Sequence, residues 1–123
     1  MECPRYRSSH QLFYRDDHLF VDLHDQLVAL DSQTISLTRT EYRVLALLVE
    51  NAGEIVPRAI FLMAIWGYGP EVRTRTLGMH IQRLRKKLGE HVGRNIETVM
   101  GVGYRFRPAF PPRDQGSRTF RVV

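Results

Sequence analysis

Residues 73–89 read RTRTLGMHIQRLRKKLG. Six side chains in this stretch are cationic and none is acidic, yet Leu77, Ile81, Leu84 and Leu88 recur at intervals of three and four. At about 100° per residue those four fall within one narrow arc, the buried stripe of a helix. Arg75, Met79, Gln82 and Lys86 lie opposite, flanked by Thr76 and Arg83. The spacing predicts a helix anchored by one face and cationic on the other. An exposed helix face ordinarily mixes lysine with glutamate at i,i+4, and a face without acids repels itself unless an external anion meets it. Arginine offers bidentate donors to guanine edges or phosphates, Gln82 can pair with adenine, and Met79 can touch a thymine methyl. That mixture suits a major groove. The plainer alternative is a solvated cationic surface.

Working outward, LTRTEYRVLALLVENAG (37–53) carries the marks of a first helix. Thr38 as N-cap with Glu41 three residues on forms a capping box, and Leu37 can staple against Tyr42 across it. Tyr42, Leu45, Leu48 and Val49 recur at helical spacing, and Gly53 supplies a stop. Pro57 suits the opening of a second helix from about Arg58 to Trp66, because its missing N–H would have no partner there. This helix is apolar on nearly every side, which predicts burial between other elements. GYGPEVR reads as a loop, and the cationic third helix follows, with Thr74 as its N-cap and Gly89 at its end. NIETVMGVGYRFR then has two extended runs around a glycine-containing turn, a hairpin. Between residues 11 and 37, the apolar pieces LFY, HLFVDL, QLVAL and TISL alternate with turn-forming DD, HD and DS, as in a small antiparallel meander. Two helices, a cationic third helix and a hairpin form the winged helix-turn-helix plan, in which the third helix enters the major groove and the hairpin is the wing. Arg58, opening the second helix, can meet a phosphate together with free backbone N–H groups.

The whole chain bounds these readings. Its 123 residues suit one domain with a self-sufficient core. The net charge of +5 divides unevenly: residues 12–54 hold eight acids and three bases, whereas residues 55–123 hold thirteen bases and four acids. Segregated positive charge presents a field to an anionic partner such as nucleic acid. Cys3 is the only cysteine, which excludes an internal disulfide and a cysteine-based zinc site and suits a reducing cytoplasm. No apolar run approaches the ~20 residues of a membrane span, and MECPRYRSSHQ lacks the apolar core of a secretory signal. His10, His18, His24, His80 and His91 show no metal-ligand spacing, and GVG at 101–103 is not followed by the residues of a phosphate loop. We therefore expect no enzyme, no metal and no cofactor. A winged helix that binds only protein is the other class, but it would show acidic or apolar residues on the exposed face of the third helix.

The stretches LTRTEYRVLALLVENAGEIV, AIWG, RTLGMHIQRLRKKLG and IETVMGVGYRFRP, in this order and spacing, closely resemble the DNA-binding effector domain of OmpR/PhoB-type response regulators. The resemblance implies an α+β winged helix-turn-helix with an N-terminal four-stranded antiparallel sheet, three helices and a C-terminal β-hairpin wing. It also implies sequence-specific binding of double-stranded promoter DNA, as a tandem dimer on direct repeats, in transcriptional regulation. Carried over by position, Arg75, Thr76, Met79, His80, Gln82 and Arg83 resemble recognition-helix contacts, beside Lys86 on the same face. Arg58, Trp66 and Arg85 match backbone-contacting positions, and Thr98, Met100 and Tyr104 match wing positions. The loop Gly67, Tyr68, Gly69, Pro70, Glu71 and Val72 resembles a segment that approaches RNA polymerase. Three positions depart from the family pattern: Met100 stands where many members have arginine, Gly78 where an acid is usual, and Pro57 where a capping serine or threonine is usual. Residues 11–108 would form the effector domain, between a flexible N-terminal segment (1–10) and a flexible tail (109–123). No receiver domain fits ahead of residue 11. The chain is then either a piece of a longer two-component response regulator, with receiver domain and sensor kinase lying outside it, or a stand-alone effector.

Overall fold

Four short strands open the fold because acidic residues close the turns between apolar runs. The computed structural model describes residues 13–69 and 71–108. In it, β1 (Phe13–Arg15), β2 (Leu19–Asp22), β3 (Leu27–Leu30) and β4 (Gln33–Ile35) form an antiparallel meander in sequence order. The Asp16 carboxylate accepts from the backbone N–H groups of His18 and Leu19, and that of Asp22 from those of His24 and Asp25. Asp31 and Ser32 both take positive φ between the paired Leu30 and Gln33, as a tight two-residue hairpin requires. Many of the acids in the first half thus serve turns. The expected segments 1–10 and 109–123, together with Gln11, Leu12 and Pro70, lie outside the described residues.

Helix α1 (Arg39–Glu50) begins at the expected capping box: Glu41 N–H donates to Thr38 Oγ1 at 3.1 Å, and Thr38 N–H donates to Glu41 Oε1 at 2.9 Å. Its stop differs from expectation. The helix ends at Glu50, with Asn51 as the cap residue and its amide donating to Leu47 O, before Gly53 is reached. Gly53 N–H instead donates to Phe106 O, linking this turn to the C-terminal hairpin.

Sequence spacing missed β5 (Ile55–Pro57), which pairs with the distant Gly103–Arg105. It makes the hairpin of β6 (Ile96–Val99) and β7 (Gly103–Phe106) into a three-stranded sheet of order β5-β7-β6. Pro57 is tolerated because β5 is an outer strand that does not need every N–H for the ladder. A Cβ at Gly103 would lie 2.1 Å from Val56 O, so only glycine allows β5 to approach β7 this closely.

Helix α2 starts at Arg58 as expected, runs as α-helix to Phe61 and widens into a π-helical turn over Leu62–Trp66. Its expected burial is only half correct. Phe61 and Leu62 are buried, whereas Ala59, Ile60, Met63 and Ala64 are exposed, because β5, β7 and α1 cover one side of it only. Helix α3 (Thr76–Gly93) is interrupted at Gly89, whose φ of 86° and ψ of 164° suit glycine alone, so the straight recognition segment ends there as expected. Its start is one residue later than Thr74 as N-cap would give: Arg75 holds the cap position while the Thr74 hydroxyl accepts from Thr76 N–H. Leu77, Ile81, Leu84 and Leu88, each no more than 2% exposed, join Val44, Leu45, Leu48, Phe61, Ile96 and Phe106 in one core that also takes in Leu19, Val21 and Val28 of the meander.

Candidate nucleic-acid interface

With its leucine stripe buried, α3 turns Arg75, Met79, Gln82, Arg83 and Lys86 outward, all exposed, with Thr76 and His80 half-buried at the margin. Among the described residues Arg73, Arg75, Arg83 and Lys86 have no acidic partner. Among the described residues the lysines and arginines that do pair with acids are Lys87, Arg94, Arg105 and Arg107. The outward face is an uncompensated cationic strip.

Lys87 departs from that strip. Its Nζ lies 2.8 Å from Glu41 Oε1, reaching back to the cap of α1. Burial pushes the Glu41 carboxyl up, but the Lys87 ammonium and the Thr38 backbone N–H outweigh it and leave the group below the usual glutamate range. A single carboxylate therefore caps one helix and fastens another. Arg85 is also diverted: its Nε and Nη2 donate to Ile96 O at 3.2 and 2.8 Å, and Nη2 donates to Thr98 Oγ1 at 2.9 Å. Sequence reading missed both ties, although a signal was present. On a helical wheel Arg85 and Lys87 sit on the two shoulders of the leucine stripe, roughly 70–90° from its centre, where a long side chain reaches a neighbouring element.

Aromatic and polar contacts set the surrounding elements. Trp66 packs between Tyr68, stacked at 6.4 Å, and His80 at 5.4 Å, so the end of α2 is held against α3. His80 Nδ1 is 2.9 Å from Thr76 O. Tyr104 meets Phe61 edge-on, and its hydroxyl is the nearest neighbour to the space above Gly78. Arg58 N–H donates to Val102 O, and its guanidinium donates to Thr74 O at 2.6 Å, so this side chain braces the loop entering α3. Arg58, Glu71, Val72, Arg73, Thr74 and Arg75 line a shallow groove there, to which Arg73 is an addition that sequence reading did not single out. At the far end of the wing Met100 is 85% exposed, with Thr98 also exposed. The loop residues Gly67, Tyr68, Gly69, Glu71 and Val72 lie between α2 and α3, and Pro70 is outside the described residues.

The family of the transcriptional regulatory protein C-terminal domain matches residues 32–106, spanning the last turn of the meander, all three helices and the wing. The chain belongs to this family. Over 79 residues it is 44% identical to response regulator ArlR of Staphylococcus saprophyticus, an alignment covering 63% of this chain and 36% of that protein. The chain thus spans about a third of the length of the curated relatives it matches. Among solved structures, the response regulator DrrB of Thermotoga maritima, an OmpR/PhoB homolog, aligns over 79% of this chain and 45% of its own with a TM-score of 0.70 and 32% identity. The RstA DNA-binding domain of Klebsiella pneumoniae, solved in complex with the RstA box, aligns over 77% of this chain and 96% of its own with a TM-score of 0.71 and 28% identity. The OmpR/PhoB-type winged helix expected from sequence is the fold observed. This family is one of transcription regulators rather than enzymes. Among the described residues no helix is long and apolar enough to cross a membrane.

Proposed function

We propose that the chain binds double-stranded promoter DNA sequence-specifically, with α3 in the major groove and the β6–β7 hairpin as wing, as the effector part of a two-component response regulator in the cytoplasm. One observation carries the reading: four outward cations at the start and along the face of α3 have no acidic partner among the described residues, while the opposite face is sealed in the core. In this reading Arg75, Arg83 and Gln82 meet base edges and Met79 a thymine methyl, with Thr76 and His80 at the margin; the exposure of the first four supports it. Arg58, Trp66 and Lys86 serve the phosphate backbone, and Thr98, Met100 and Tyr104 the wing contact. The solved complex of the RstA domain with its box supports this arrangement.

Three finer readings go with it. The domain sits as a tandem dimer on direct repeats, and the loop from Gly67 to Val72 faces RNA polymerase. A receiver domain and its sensor kinase supply the signal. Selection of bound fragments from genomic DNA tests the whole reading: it should enrich a repeated half-site spaced by about one helical turn, 10–10.5 base pairs. Recovery of fragments without a common sequence would contradict it.

A further inference from the structure

The wing must be placed accurately because it has little charge of its own to offer. Arg105 in β7 is paired with Glu97 directly across the ladder, Arg107 just beyond shares the same carboxylate, and the exposed tip is apolar Met100. A hairpin without free cations gains little from long-range attraction, so its contribution to binding depends on where it stands relative to α3.

That relation is set at one side chain. Strand β6 is the outer strand of its sheet, paired on one side only with β7, and its other edge faces α3. Arg85 fills that open edge. Its Nε–H and one Nη2–H converge on Ile96 O, and the second Nη2–H reaches Thr98 Oγ1. The Ile96 side chain is 2% exposed, so the carbonyl that receives the fork belongs to a strand fixed in the core. Three of the five guanidinium donors are thus committed, and Arg85 is half-buried where Arg83 and Lys86 are exposed.

We infer that Arg85 is a positioning residue, a planar fork that locks the wing at a fixed angle to the recognition helix, rather than a phosphate contact. The inference rests on the DNA-binding reading above. Lysine cannot replace it, because an ammonium lacks the fork that joins Ile96 O and Thr98 Oγ1.

The experiment has two arms. In the DNA-free protein, the Arg85 Nε–H should exchange with water more slowly than that of Arg83, and R85K and R85Q should speed amide exchange along β6 while the protein stays folded. In duplex titrations, R85K and R85Q should each weaken binding by about tenfold. R85Q should keep the salt slope of the parent. The inference is overturned if Arg85 Nε–H exchanges as fast as Arg83, or if R85K binds like the parent while R85Q loses about one unit of salt slope. A slow Arg85 Nε–H in a parent protein that binds no duplex would instead sink the DNA-binding reading and leave the lock standing.

Discussion

Single residues carry two kinds of work on α3, and the distinction is testable at each. Arg83 is exposed and unpaired with any acid among the described residues, so Arg83→Ala should leave folding unchanged. It should cost about 1–3 kcal/mol of binding and relax preference at one base position if the guanidinium reads a base edge. Competition against variant duplexes checks this, and an equal loss on every sequence would assign Arg83 to phosphate instead. Glu41, 2% exposed, does its work inside the protein. Its folded-state value is lowered, so the stability it contributes is present above the ordinary glutamate value of about 4.5 and is lost as pH falls through the folded value. Glu41→Gln should therefore cost about 1 kcal/mol near neutral pH and flatten the acid limb of a stability–pH curve. Denaturant unfolding between pH 3 and 7 measures both, and a variant with the parent's acid limb would remove Glu41 from the account. Sequence spacing showed Glu41 as a capping residue because that bond is local. Its second bond, to Lys87, joins residues far apart in the chain and was invisible there.

Among the elements, those defined by local pattern were legible and those defined by distant pairing were not. The stripe of α3 followed from its 3.6-residue period, the meander from apolar runs between aspartates, and the wing from two runs around a glycine turn. Strand β5 escaped because it has three residues, ends in proline and finds its partner near residue 104. The apolar content of α2 suggested full burial, but content does not reveal how many neighbours an element will have, and this one lies at the surface with Met63 58% exposed. Of the candidate site, the outward face of α3 was read correctly from angle alone, whereas the diversion of Arg85 and Lys87 needed the positions of β6 and α1. Gly78 is a loose end at this scale. A Cβ there would have only the Tyr104 hydroxyl near it, at 3.9 Å, so nothing within the protein demands glycine. Gly78→Ala should stabilise the domain by about 0.5–1 kcal/mol through helix propensity, seen as a raised unfolding midpoint. If duplex affinity falls at the same time, the missing side chain serves close approach of DNA; a lowered midpoint would mean the packing around Tyr104 is tighter than described.

Across the whole molecule, charge is divided by function. Acids of the meander close its turns and one acid of α1 holds α3, leaving the cationic strip uncompensated on the side where helix, loop and wing meet. A polyanion that meets this strip releases counterions, so binding must weaken with salt, by about 0.9 in log affinity per log unit of salt for each phosphate neutralised. Titration of a duplex carrying the selected site at several salt concentrations measures that slope directly. Log affinity should fall steeply and linearly with log salt, and less steeply when Arg75 or Lys86 is replaced by alanine; an affinity that does not change with salt would mean that the strip meets no polyanion.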